Sequence, residues 1–488
     1  MGLCFHMKRQ SLSKNFIYQF LYQVIILVIP LILSPYLTRI LLDKGLGIYS
    51  YANSIAYYFV MLGMLGIMRH GQRVIAQRLD DQILLRRTFW SLFAVHSITS
   101  IIALILYLFY LLFIHHESQS VYVIESFYVA SSLFDITWLF YGLENFRSVV
   151  IKNALVQIAQ CVLIFLFVKT PRDLNLYTLI VAAGTLVGQL IMLPQAITMV
   201  KPIKFSAADM KEHLKPLLIF SISVVAVTLY TVFDKTLLGL MTTKENVAYY
   251  DYANKIIIVP KTITSVISTV MFPRACILAE KGDVEGQKRY LSYSFVFTSF
   301  VGMGALFGIL AIGVPFATYY YGEQFRISGY VMMAMSPLVY IVGTGDILRT
   351  QYLIPNHMDR LFNICILLNA VVNIIVSTLL IPYFGIFGAV IGTICAELFG
   401  LIFQTYLCRK YIRMNSIILH MIPFAIFGIT MYGAMVLISK FFNNTIQGFI
   451  METLVGLFIY LILSAIYIFY TNPELKSKLK TVMKKNVE

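Results

Sequence analysis

Arg39, Asp135, Asp234, Lys235, Lys255, Lys261 and Glu397 all stand inside long apolar runs. An ionised side chain in hydrocarbon is costly, so each marks an ion pair, a binding site or a transport path. The four basic residues, Arg39, Lys235, Lys255 and Lys261, suit an anionic head group such as a diphosphate. Lys261 is the sharpest, because it follows Pro260 in mid-run, where proline removes a backbone donor and bends a helix. Asp135, Asp234 and Glu397 are candidates for ion coupling, since a carboxyl that moves between water and a low-dielectric setting exchanges a proton as it does so. The competing reading is structural. Asp234 is adjacent to Lys235, Asp135 or Glu397 could neutralise Lys261, and Arg39 and Lys235 are long enough to snorkel to an interface.

Other chemistries lack their residues. There is no G-x-x-x-x-G-K-[ST] loop for nucleotide phosphates and no H-E-x-x-H. The eight histidines form no cluster of ligands, and His115-His116 reads as a solvated loop. Six cysteines are scattered without a C-x-x-C and read as small apolar residues. No metal or cofactor is expected, and no enzyme.

The elements that hold these charges are membrane helices. With 59% hydrophobic and 12% charged residues and a mean hydropathy of +0.80, the chain carries about half the charge of a soluble one. Spans of about 20 apolar residues fall at 16–41, 47–68, 89–114, 121–142, 150–168 and 176–199 in the first half. The second half gives 216–241, 247–272, 291–315, 327–346, 361–382 and 386–407, and two more follow at 417–439 and 449–470. The fold class is therefore all-α integral membrane, with about fourteen transmembrane helices. Either Met1 or Met7 could start the chain, and the first apolar run has no cleavage site, so it reads as a retained helix.

The net charge of +15 does not indicate nucleic acid, because the basic residues sit between apolar runs, where they set orientation. With the N-terminus inside, the inner segments hold 28 of the 38 Lys and Arg and the outer loops 6. Both termini are then cytoplasmic. The basic connections Arg69–Thr88 and Arg274–Tyr290 occupy matching places in the two halves and are expected on the anionic inner surface. The outer loops are too short to house a catalytic site.

A repeat organises the spans. Gly47-Ile-Tyr-Ser-Tyr-Ala-Asn53 returns as Ala248-Tyr-Tyr-Asp-Tyr-Ala-Asn254, with Arg39-Ile-Leu-Leu42 before the first copy and Lys235-Thr-Leu-Leu238 before the second. Duplicated halves around a central site are the pattern of a transporter. The expected organisation is two pseudo-symmetric six-helix lobes, 1–200 and 201–410, two additional transmembrane helices at 411–470, and a basic cytoplasmic tail at 471–488. The glycine pairs Gly184/Gly188, Gly304/Gly308 and Gly388/Gly392 are expected to be close-packing faces.

The chain resembles the O-antigen and capsular polysaccharide flippases of the multidrug/oligosaccharidyl-lipid/polysaccharide exporter superfamily. The residues that carry the resemblance are Lys14-Asn15-Phe16, Pro35-Tyr-Leu-Thr-Arg39, Gly45-Leu-Gly-Ile-Tyr-Ser-Tyr51, Phe233-Asp-Lys-Thr-Leu-Leu-Gly239, the run Tyr249–Lys255 and Phe384-Gly-Ile-Phe-Gly-Ala-Val-Ile-Gly392. It implies an undecaprenyl-diphosphate-linked oligosaccharide moved by alternating access across the bacterial cytoplasmic (inner) membrane. It also implies a basic lumen that includes Arg39, Lys235, Lys255 and Lys261, and membrane lipids as partners, with the pathway's polymerase and chain-length proteins as candidate partners. Two alternatives compete: a drug or cation exporter of the same fold, and a membrane polysaccharide polymerase or ligase. The first would favour a lumen led by carboxylates, and the second needs a catalytic outer face.

Overall fold

The computed structural model describes residues 12–114, 117–409, 414–441 and 445–471. The alternative starts Met1 and Met7, the His115-His116 pair, Lys410, Arg413 and the tail beyond Thr471 lie outside the described residues. Helices fill almost all of the rest, and no strand occurs among the described residues.

The first half contains α1 (Leu12–Ile40), α2 (Leu42–Met64), α3 (Ile67–Gln77), α4 (Gln82–Phe113) and α5 (Gln119–Ser131). It continues with α6 (Thr137–Gly142), α7 (Phe146–Phe167), α8 (Leu174–Leu190), α9 (Met192–Met199) and α10 (Ala207–Met241). The second half contains α11 (Lys244–Glu280), α12 (Val284–Tyr321), α13 (Arg326–Met335), α14 (Pro337–Ile347) and α15 (Asp359–Phe384). The last three helices are α16 (Ile386–Leu407), α17 (Met414–Ser439) and α18 (Ile446–Thr471). Among the described residues, 12 helices are long and apolar enough to cross a membrane, or 13 when the pair around Ser336, bent by 42°, counts as one span. The expected fourteen included 216–241, which lies in α10 and is counted in neither figure.

Several expected spans are broken, each for a local reason. The second span is interrupted at Leu65–Gly66. Gly66 has φ +73°, and a Cβ there would stand 2.8 Å from Ser221 N, so a side chain would be both strained and obstructed. The fourth breaks through a 3-10 turn, Ser132–Phe134, into extended Asp135. The Asp135 carboxylate accepts from Thr137 N at 3.0 Å and from its hydroxyl at 2.5 Å, which starts α6 as a new helix. Irregular backbone at this depth is tolerated where protein encloses it.

Residues up to Ala248 form one compact unit and those from Tyr249 a second. α10, placed in the second lobe by sequence, packs against α2, α3 and α4 of the first unit. The Thr236 hydroxyl meets Tyr58 Oη at 3.0 Å and Ser54 Oγ at 3.4 Å. The core of the first unit gathers Ile75, Phe89, Trp138 and Phe140. In the second, Phe295, Tyr352, Ile417 and Phe424 form the core, so α17 is packed into that unit. The Tyr460 hydroxyl of α18 donates to Phe300 O at 2.5 Å. In lipid these contacts stabilise by close packing and hydrogen bonding, because the acyl chains are as apolar as leucine. Leu112 and Phe113, each 70% exposed, are side chains of the kind that face acyl chains.

Candidate functional site

Lys261 stands in α11 directly after Pro260, and Ser265 follows one turn later. The Ser265 hydroxyl donates to Asp346 Oδ2 of α14 at 2.9 Å. The other oxygen of Asp346 accepts from Arg349 Nη2 at 2.5 Å. Arg349 belongs to a π-helical segment, Leu348–Leu353, which widens the end of α14 by one residue; such segments are frequent at functional sites. Asp346 and Arg349 are the charged neighbours of Lys261. Arg349 is paired with this carboxylate, and Lys261 stands within the field of both. The side chains of Asp346 and Arg349 are 26% and 14% exposed, so the group is screened yet reachable. A net positive charge in such a place favours an anion, and a guanidinium beside an ammonium fits the oxygens of a phosphate.

The other basic candidates are engaged differently. Lys255 pairs with Asp251 of its own helix at 3.2 Å, and its ammonium lies 3.7 Å from the centre of the Tyr252 ring. The exposed Arg39 turns back and donates to Pro35 O at 2.8 Å. Lys235 is half-buried in α10, beside the buried Asp234. Among the carboxylates, Asp135 accepts from the first residue of α6, Thr137, and Glu397 is buried in α16, which packs along α15. The carboxylate found beside Lys261 within its own unit is Asp346.

Residues 12–276 match the family described as "Polysaccharide biosynthesis protein", more than half of the 488 residues. The chain belongs to this family. Among similar members, a protein named as an O-antigen transporter in Shigella dysenteriae is 24% identical over 400 residues, covering 80% of this chain and 99% of the relative. Another of that name, from Escherichia coli (strain K12), is 23% identical over 413 residues, covering 84% and 98%. The fold is that of the lipid II flippase MurJ in its inward closed conformation. The TM-score is 0.74 at 16% identity, and 93% of this chain and 99% of MurJ are covered. An inward-facing multidrug resistance MATE transporter gives 0.62 at 12% identity, covering 80% and 94%. For the polysaccharide biosynthesis chain described here, the resemblance read from its sequence is to this same family.

Three charged residues with defined partners in the structure are not among those singled out by sequence. Asp346 is the last residue of the expected span 327–346 and Arg349 lies three residues beyond it, where charge reads as interfacial; their i,i+3 spacing was the available signal. Glu125 lies inside the expected span 121–142 and is 1% exposed. Its two oxygens are each 3.4 Å from Asn53 Nδ2, the amide of the first copy of the repeat. Its position within an apolar run was the signal.

Proposed function

We propose that this chain is a flippase for a lipid-linked glycan, an undecaprenyl-diphosphate-linked oligosaccharide repeat unit of O-antigen or capsule type. It would act in the bacterial cytoplasmic membrane with both termini inside. The diphosphate is held by Lys261 and Arg349 while the polyprenyl tail stays in lipid, and the site is exposed alternately to the two faces of the membrane. Asp346 orients the guanidinium between substrates and supplies the counter-charge when the site is empty. Support comes from membership in the polysaccharide biosynthesis family, the names of the relatives and the MurJ-like fold. The single observation that carries the reading is the net cationic group Lys261, Asp346 and Arg349.

Lys261→Ala should abolish surface polysaccharide in a complementation assay while the protein reaches the membrane at its usual level. Full surface polysaccharide with that variant would remove Lys261 from the site. An expressing strain that gained drug resistance instead would favour the exporter reading.

A further inference from the structure

The turns α3–α4 and α11–α12 occupy matching places in the two units and begin alike. Asp81 accepts from Ile83 N and Leu84 N, both at 3.0 Å, and starts α4. Asp283 accepts from Gly286 N at 2.8 Å and starts α12. An arginine stands six residues after each cap, Arg87 and Arg289. Their surroundings then diverge. Arg87 Nε donates to Asp209 Oδ2 of α10 at 2.8 Å, and Arg78 Nη2 donates to Glu212 Oε1 of the same helix at 3.1 Å. The start of α10 thus brings carboxylates to the first basic turn.

Among the described residues of the second unit, no carboxylate pairs with the corresponding arginine. The stretch 408–420 that leads into α17 contains Arg409, Lys410 and Arg413 and no Asp or Glu. Among the described residues, Arg289 and Arg274 make no ion pair. A cavity of about 580 Å³ opens there instead, lined by Arg274, Lys288, Arg289 and Tyr290 together with Asp283 and Glu285. The two acids are used within the turn: Asp283 caps α12, and Glu285 accepts from Lys288 Nζ at 3.0 Å. Two guanidinium groups remain, that of Arg274 lying 5.5 Å from the Tyr290 ring centre.

The approach to this cavity is apolar. Val270 (55% exposed) and Ile277 (42%) lie at i−4 and i+3 from Arg274, on the same face of α11. Exposed Ile263 and Val266 continue that face. At 1.5 Å per residue, the stripe is about 20 Å long, on the scale of an acyl chain.

We propose that the α11–α12 turn binds the phosphate of a membrane lipid between Arg274 and Arg289, with an acyl chain along the Ile263–Ile277 face of α11. In the first unit the Asp209 carboxylate occupies the place that the phosphate takes in the second. The binding needs no cargo, so it stands or falls independently of the flippase reading.

The test is native mass spectrometry of the full chain released from detergent micelles containing dioleoyl phosphatidylglycerol, with a parallel arm containing undecaprenyl diphosphate. Retention of phosphatidylglycerol should weaken about twentyfold in Arg274→Gln/Arg289→Gln, from the attraction of two interfacial arginines. Undecaprenyl diphosphate, held at Lys261 and Arg349, should be retained as in the wild type. Retention should be largely kept in the paired lysine variant, which controls for folding. A loss confined to the undecaprenyl diphosphate arm would overturn the proposal, because the turn would then hold a polyprenyl carrier and not a phospholipid. Asp209→Asn, which releases Arg87 and keeps an acceptor for Ser206, should add a second retained lipid. Equal retention of phosphatidylglycerol by the wild type and the glutamine variant would overturn the proposal. So would displacement of the lipid by millimolar inorganic phosphate, which would show an adventitious ion only.

Discussion

The two units dock a helix onto their third span in the same way. In the first, His213 Nε2 of α10 lies 3.2 Å from Ser91 Oγ of α4; in the second, His420 Nε2 of α17 lies 2.9 Å from Ser292 Oγ of α12. Ser91 and Ser292 are separated by the same offset as Tyr51 and Tyr252 of the repeat. Both tyrosines are buried, and each carries an ammonium over its ring: Lys244 at 3.4 Å from the centre in the first unit, Lys255 at 3.7 Å in the second. These contacts recur in both units; other charges do not. The first unit closes Arg87 with Asp209 and buries Glu125 against Asn53. The second leaves Arg289 uncovered and pairs Arg349 with Asp346 in the neighbourhood of Lys261. The Ser–His contacts and the cation-capped tyrosines recur in both units, so function can diverge through the other polar residues set among them.

The largest expected effect tests that division of charge. Arg349→Ala removes the guanidinium that Asp346 holds at 2.5 Å and brings the local charge of the Lys261 group from positive to neutral. Charge-assisted hydrogen bonds contribute about 1.5–3 kcal/mol each, so losing them to a bound diphosphate should slow translocation about 100-fold. Glu125→Gln keeps the shape of the first unit's buried group and should change translocation by no more than about threefold. Transfer of a fluorescent polyprenyl-diphosphate glycan in proteoliposomes measures both. If the glutamine variant fails as badly as the alanine variant, the anion does not belong to the second unit alone.

A smaller effect separates the two copies of the repeat. Gly47 aligns with Ala248, yet a Cβ on Gly47 would stand 1.8 Å from Lys244 O. The Lys244 ammonium also donates to Gly239 O at 2.6 Å, and a Cβ on Gly239 would meet the Tyr51 ring at 2.1 Å. Glycine lets the chain at Lys244 approach α2, and a methyl group would force the backbones apart. Gly47→Ala should therefore cost about 3 kcal/mol, at the upper end of overpacking. Ala248→Gly should cost only about 1 kcal/mol, the helix propensity difference. Thermal unfolding in detergent reports both. Equal losses would mean that the two copies are packed alike.

Much of this was legible before any coordinates. The membrane class follows from apolar run lengths, and the duplication from Tyr51/Asn53 and Tyr252/Asn254, because a buried aromatic and a polar neighbour at fixed spacing are visible in a linear string. Pro260-Lys261 was legible for the same reason. What stayed hidden depends on contacts between helices far apart in sequence. Nothing near Lys261 in the chain announces Asp346, whose carboxylate arrives on α14. Nothing local tells α10 to pack on α2 and α4, since its sequence reads as the start of a second lobe and Thr236 finds Tyr58 only in three dimensions. The break in the fourth span carries no glycine or proline. Its signal is Asp135 two residues before Thr137, a helix-starting pattern that an apolar run disguises.

The smallest expected effect is a pH dependence at the start of α10. Burial pushes His213 below its ordinary value of 6.5, and the groups facing it are His70 at 3.1 Å, Ser91, Arg78, Glu212 and Asp209. Asp209, held below the usual carboxylate range first by the Ser206 N–H and then by Arg87, keeps its charge throughout mild acid. A histidine lowered by folding stabilises fully above its unfolded value, and that stability is lost as pH falls below it, because the unfolded state binds the extra proton. Between pH 7.5 and 5 the docking of α10 on α4 should therefore loosen while the Arg87–Asp209 pair stays intact. Amide hydrogen exchange across Ala207–Leu218, corrected for the intrinsic pH dependence, should rise by up to about tenfold per pH unit below 6.5, the limit for one proton. His213→Gln should remove the dependence by replacing the titrating ring with an amide. A variant that kept the full pH response would assign it to His70 instead, and the shared Ser–His docking would then be a common contact with no common pH response.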